Sequence, residues 1–192
     1  MTLTVIVPDK RPGMQRMLQR ELAGIDSEVI YKNWRLGLKK AQGDFILLLE
    51  YDSGISKGSI RRGLEPFLDN PHYRKLAMVA PRVEFGDVDV MGLSYPGRCN
   101  QCDGKVNYHL SRIGYIAGSI IRRSSLLKYM DIKNRRTMDN SYALSVTFWE
   151  NGLRVLHEPN SVYQSSGKFK EITILPEVSK KVLKMWTQEM VV

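Results

Sequence analysis

The densest concentration of reactive groups in the sequence is Glu50-Tyr51-Asp52-Ser53-Gly54, which closes the apolar run Phe45-Ile46-Leu47-Leu48-Leu49. Residues two apart in a strand project to one side, so Glu50 and Asp52 would point together if the strand persists. Ligands of open α/β sheets bind outside the carboxyl ends of the strands, which is where this pair would stand. Two neighbouring carboxylates repel unless a cation neutralises them. Oxygen donors suit a hard ion, Mn²⁺ or Mg²⁺, shared with a diphosphate. The same residues can instead do no more than mark the wet end of a buried strand, and the residues alone leave both readings open. Basic side chains could supply the other half of an anion site. Lys10 and Arg11 follow the run Leu3 to Val7, and Arg122-Arg123 offers guanidinium forks suited to phosphate. Cys99 and Cys102 have the spacing of half a zinc site. Only Asp103, His109 or a partner chain could complete it, and two reduced thiols in a loop are the competing reading.

These groups need a frame, and the hydrophobic pattern supplies one. Leu3 to Val7, Glu28 to Tyr31, Asp44 to Glu50 and Leu76 to Val83 read as strands. Between them lie helical stripes. One starts at Pro12 and stops at Gly24, one is capped by Asn33 and stops at Gly43, and one opens at Ser56, carries Ile60, Leu64, Phe67 and Leu68 and ends near Asn70-Pro71. Strands alternating with helices predict an α/β layer with a mostly parallel sheet. The second half is less regular. Residues 84–112 read as an inserted loop or hairpin with a strand near Lys105 to Leu110. A strand over Ile116 to Ile121 and a short helix capped by Ser124 follow. A helix over Asp139 to Asn151 comes next, then two short strands around Pro159 and an amphipathic helix after Pro176.

The whole chain has 192 residues, 43% of them hydrophobic, which predicts one domain with a sizeable core and excludes wholesale disorder. Two cysteines exclude a disulfide scaffold, and the apolar run Phe45 to Leu49 is too short to span a bilayer. Leu3 to Val7 reads as a first strand and not as a signal peptide, so a reduced, cytoplasmic setting is expected. Lys and Arg number 29 against 20 Asp and Glu, a net charge of +9. That balance points to an anionic partner: a nucleotide, a nucleic acid or a membrane surface.

Three stretches taken together resemble the family 2 glycosyltransferases of the GT-A fold. They are Leu3 to Pro8, then Asn33-x-x-x-Gly37, then Ala41-Gln42-Gly43-Asp44 running into Phe45 to Asp52. The resemblance implies a single-domain, Rossmann-type α/β sandwich. Residues 1–83 would be the nucleotide-binding half, 84–175 the acceptor side and 176–192 a C-terminal helix. In that family the third strand ends in an Asp-x-Asp motif that holds the metal and the donor diphosphate, and Glu50 here replaces the first Asp. Glu50 and Asp52 would therefore ligate Mn²⁺ or Mg²⁺. Pro8, Asp9, Lys10, Arg11, Asn33, Gly37, Tyr51, Arg122 and Arg123 would join them around a nucleoside diphosphate sugar. Gly118 with Arg122-Arg123 resembles the family's segment before a short helix. Asp139, with Gly152 and Pro159 beyond it, resembles the region that carries the catalytic base, whereas Asp131 sits among Lys133, Arg135 and Arg136, where it can simply balance charge.

The implied activity is transfer of a sugar to an acceptor hydroxyl on a glycan, a protein or a modified nucleic acid, with inversion. A positioned base of this kind typically contributes about 10²–10⁴-fold. The chain also departs from the family. Tyr31-Lys32-Asn33 runs straight on where relatives carry an Asp-Asp-Gly-Ser-like segment and a further strand and helix. Gln164 stands where relatives often have a metal-binding His, and His157 reads as a strand residue. These departures keep two alternatives open, a GT-A-like binding module without catalysis and a basic nucleic-acid-binding protein.

Overall fold

The run Leu3-Thr4-Val5-Ile6-Val7 forms β1 (Leu3–Val7) and is buried at every position, as expected of a strand covered by helices on both faces. This computed structural model describes residues 1–8, 10–51, 53–68, 74–85, 88–90, 109–111, 114–130, 137–166 and 180–189. On either side of β1 lie β2 (Ser27–Tyr31) and β3 (Phe45–Leu48), both parallel to it. The connection to β2 is α1 (Pro12–Glu21), opened by a proline in its first turn and packed inward through Met14 and Leu18. The connection to β3 is a short helix, α2 (Trp34–Leu38), capped by Asn33, whose side-chain oxygen accepts from Leu36 N at 3.0 Å. Gly37 is there because α2 lies against β1: a Cβ at that position would overlap the side chain of Ile6.

The remaining elements are β4 (Gly54–Ile55), α3 (Ser59–Leu68), β5 (Leu76–Phe85), β6 (Val88–Val90), β7 (His109–Leu110), β8 (Ile120–Arg122), α4 (Arg123–Tyr129), α5 (Thr137–Glu150), β9 (Arg154–Gln164) and α6 (Lys180–Glu189). They complete one sheet in the order β2-β1-β3-β8-β5-β9-β4, with β6 on β5 and β7 on β9. β1, β2, β3, β5 and β9 share one direction, and β8 runs antiparallel between β3 and β5. The period of two sorts the core onto two faces. Ile6, Ile46 and Leu48 pack with Tyr142, Phe148 and Trp149 of α5, while Val5, Val7 and Leu47 pack with Ile60 and Leu64 of α3.

The mixed α/β, mostly parallel architecture is as expected, and several details differ. The helix expected from Ser56 begins at Ser59, because Gly54 and Ile55 first pair with Gln164 and Tyr163. The strand expected over Ile116 to Ile121 is only Ile120–Arg122. Before it the chain turns at Gly118, whose φ is 76° and whose N–H donates to Leu48 O at 2.8 Å. Ser124 falls inside α4 and is not its cap, which is Arg122. The two short strands around Pro159 are one strand, β9, whose pairing with β5 jumps from Pro81–Glu158 to Arg82–Val162. A prolyl nitrogen cannot join the ladder, and the irregularity absorbs it. Of the strand expected near Lys105 to Leu110, only His109–Leu110 is described, and Cys99 and Cys102 lie outside the described residues. No described helix is long and apolar enough to cross a membrane.

Candidate functional site

Because β1, β2 and β3 are parallel and adjacent, their carboxyl ends come out side by side. β1 delivers Pro8, Lys10 and Arg11, β2 delivers Tyr31, and β3 delivers Glu50 and Tyr51. Trp34 Nε1 donates to Leu49 O at 2.7 Å, which ties α2 to the end of β3.

Glu50 is the centre of this edge. Its Oε1 accepts from the Tyr115 hydroxyl at 3.0 Å, and its Oε2 accepts from Tyr163 at 3.1 Å and Ser165 at 2.9 Å. The Tyr163 oxygen in turn accepts from Glu50 N at 3.2 Å. A carboxylate offers about four lone-pair positions, so Oε2 is filled and Oε1 keeps one. Burial, and then the Glu50 charge, push the Tyr163 hydroxyl well above the usual phenol range, which keeps it a donor.

The rest of the fold holds these hydroxyls in place. The Tyr163 ring lies against the backbone of Gly118, where an added Cβ would stand 2.6 Å from Tyr163 Cβ. Tyr115 belongs to a segment pinned by α5: Ile116 N donates to Ser141 Oγ at 2.8 Å and Gly114 N to Ser145 Oγ at 3.1 Å. The loop after Glu50 is also fastened. Ser53 Oγ donates to Glu50 O at 2.8 Å, and Ser166 Oγ donates to Tyr51 O at 2.7 Å. Asp52, carried by this loop, lies outside the described residues, as does Asp9. Cations flank the edge: Arg11 Cζ sits 4.5 Å over the centroid of the Tyr51 ring, and Lys10 Nζ 5.6 Å over that of Tyr31.

Arg122 and Arg123 do not join this group. β8 is antiparallel to β3 and pairs Arg122 with Phe45, so both arginines stand at the amino end, roughly 15 Å of strand from Glu50. There Arg122 Nε donates to Leu76 O at 3.1 Å, and its guanidinium lies 5.4 Å from the Phe45 ring centroid. Arg123 stands near Glu28, whose carboxyl is held below its usual range chiefly by the Thr4 hydroxyl, then by the Gln42 and Gly43 amides and by Arg123 itself. The expectation that these two arginines face the donor is therefore corrected. Asn33 and Gly37 serve α2, the oxygen of one spent on the cap and the other on close approach to Ile6.

Gln164 donates to Glu84 Oε2 at 3.2 Å, and Glu84 also pairs with Arg82 at 3.1 Å. His157 is fully buried in β9, in register with Ala80 of β5 and His109 of β7, as a strand residue should be. Asp139 lies by its backbone in the first turn of α5, two residues before Ser141; its side chain is outside what is described. Among the described residues, no group of three His, Cys, Asp or Glu side chains could hold a metal ion.

Sequence reasoning missed Tyr115, Tyr163 and Ser165. It fixed on Gln164, but Tyr163 and Ser165 are the alternating pair on the Glu50 side. The parity of that strand was the signal that could have found them.

Neither a family model nor a curated protein matches the chain. Solved structures do. The structure of GalNAc-T7 with UDP, GalNAc and Mn²⁺ superposes with a TM-score of 0.52 at 10% identity, covering 97% of this chain and 47% of that one. A197 from STIV gives 0.51 at 11% identity, covering 83% and 82%. S. aureus TarS 1–349 in complex with UDP-GlcNAc gives 0.49 at 15% identity, covering 99% and 66%. This chain thus spans about half the length of the GalNAc-T7 chain. Likeness at such identities is a likeness of fold: the chain has a GT-A-like fold.

Proposed function

We propose that the protein is a glycosyltransferase of the family 2 type, moving a sugar from a nucleoside diphosphate sugar to an acceptor hydroxyl on a glycan, a protein or a modified nucleic acid. One observation carries the reading. The parallel strands of a GT-A-like fold bring Glu50, Lys10, Arg11 and the loop that bears Asp52 to one edge. A metal fits this donor set, since Glu50 keeps one lone pair on Oε1 and hard cations accept one or two carboxylates plus substrate phosphates. Glu50 and Asp52 would hold Mn²⁺ or Mg²⁺, which supplies charge neutralisation for the departing diphosphate.

The chain's own residues do the rest. Tyr115, Tyr163 and Ser165 fix the orientation of the Glu50 carboxylate, so it need not reorganise when a donor arrives. Lys10 and Arg11 add positive charge beside the diphosphate. Asp139 takes the proton of the acceptor hydroxyl as that oxygen attacks the anomeric carbon, and attack opposite the leaving diphosphate inverts the centre. Asp139 stands in the first turn of α5, the helix whose Ser141 hydroxyl accepts from Ile116 N.

The test is release of nucleoside diphosphate from a panel of nucleotide sugars with Mn²⁺ and candidate acceptors. Release that is lost in Asp139→Asn, with folding and donor binding retained, is the expected result. Donor binding without release from any sugar would favour the second reading, a GT-A-like module that holds a nucleotide sugar without transferring it. The engagement of Gln164 with Glu84 and of Glu50 with three hydroxyls is what recommends that reading.

A further inference from the structure

We propose that the open edge of β2 pairs with the same edge of a second copy of this chain, antiparallel about Val29, so that the two sheets join across a two-fold axis. β2 ends the sheet: it bonds to β1 on one side, and no described strand lies on the other. It passes through Lys32 straight to the Asn33 cap of α2, which leads back to β3 on the far side of β1. All five of its residues are only half-buried, whereas β1 and β3 are buried at every position. The outer side of β2 is therefore open to solvent.

Main-chain groups alternate sides along a strand. Leu3 N donates to Asp26 O at 3.0 Å, so Asp26, Glu28 and Ile30 face β1, while Ser27, Val29 and Tyr31 turn their N–H and C=O groups outward. β2 holds neither a proline nor a register shift against β1 that would blunt this edge. Its sequence selects the partner and the register. A two-fold axis at Val29 pairs that residue with its own copy and Ser27 with the partner's Tyr31, so every outward group meets another and the strand is paired over its full length. The same axis sets Asp26 opposite the partner's Lys32, twice by symmetry, and both side chains are exposed. Opposite charges facing across an antiparallel pair stabilise it. Asp26 Oδ2 accepts from the Thr2 hydroxyl at 2.6 Å, which holds the carboxylate at the start of the strand. Moving the axis to Glu28 would set two glutamates face to face, and moving it to Ile30 would leave only residues 29–31 of β2 paired. On the α1 face, a cleft lined by Gln15, Leu18, Gln19, Leu22, Val29 and Tyr31 follows the edge, and the axis brings it against its own copy. The carboxyl ends of the two β2 strands then point in opposite directions, so the two Glu50 edges lie at opposite ends of the pairing.

Sedimentation equilibrium of the full chain over a concentration series reads the association. A species of twice the 22.0 kDa chain mass is expected. Lys32→Asp sets like charges face to face and should raise the dissociation constant about tenfold or more, and adding Asp26→Lys should bring it back to within about threefold of the original. Val29→Pro removes the central outward N–H and should leave monomer alone. Positions 26 and 32 are exposed, so the charge variants keep the fold, as a thermal melt verifies, and they decide the matter even where Val29→Pro does not fold. Monomer at every concentration would overturn the proposal. So would a dimer indifferent to Lys32→Asp, which would mean assembly through another surface.

Discussion

Glu50 binds its hydroxyl partners across long stretches of chain: Tyr115 is 65 residues away, Tyr163 is 113 and Ser165 is 115. That separation explains what a reader of the sequence can and cannot see. A carboxylate closing an apolar strand is legible locally, whereas hydroxyls that arrive from two other segments are not. Tyr163 should be the costliest of the three to lose. Tyr163→Phe removes the donor to Oε2 and leaves Glu50 N without its acceptor, so we expect a loss of about 1–3 kcal/mol in urea unfolding, together with weaker donor binding. An unchanged midpoint would mean that the hydroxyl network does not fix the edge. Asp52 makes a different prediction. Asp52→Asn should leave the melting temperature unchanged and abolish metal-dependent donor binding, as followed by titration with Mn²⁺; undiminished binding would remove Asp52 from the metal's ligands.

Elements, not single residues, decide which side chains can meet. The strand near Ile120 is readable as apolar, but its antiparallel direction depends on the turn at Gly118 and on pairing with β3 and β5, neither of which is local. That direction sends Arg122 and Arg123 to the amino end of the sheet. Gly118 itself has a physical reason to be glycine: a positive φ and a tyrosine ring against its backbone. Gly118→Ala should therefore cost about 1–3 kcal/mol from overpacking, with backbone strain added, and should also weaken donor binding because Tyr163 must shift. Chemical denaturation and donor titration of the same variant verify both. Asn33→Ala offers a contrast. It should lose only the cap, about 1 kcal/mol, with donor affinity kept; a selective loss of affinity would return Asn33 to the donor site.

At the scale of the molecule, the alternation of strands and helices was legible because both faces of the sheet are covered and the inner strands β1 and β3, apolar but for Thr4, are buried at every position. The pairing order and the close approach of β9 to β3 through Tyr163 were not, since no local pattern encodes them. One whole-molecule property follows from burial. Glu158 is 2% exposed, and burial raises its carboxyl above the usual range, with the Asn160 amides and Arg62 only partly opposing the shift. A raised carboxyl favours the neutral form in the folded state. Its contribution is therefore fully present below the unfolded pKa and is lost as pH rises through the folded one. Glu158→Gln keeps the acceptor for Asn160 N, so its stability advantage over the wild type should grow from pH 4 to pH 7 in thermal melts. An advantage that shrinks over that range would mean that Glu158 is stabilised in its charged form.

The central claim is that the edge built around Glu50 and the Asp52 loop receives a nucleotide sugar. Calorimetric titration of the purified protein with a panel of nucleoside diphosphate sugars, with Mn²⁺, with Mg²⁺ and with chelator, tests it most directly. Saturable binding that requires the cation and disappears with chelator is the predicted result. Failure of every donor to bind under all three conditions would contradict it.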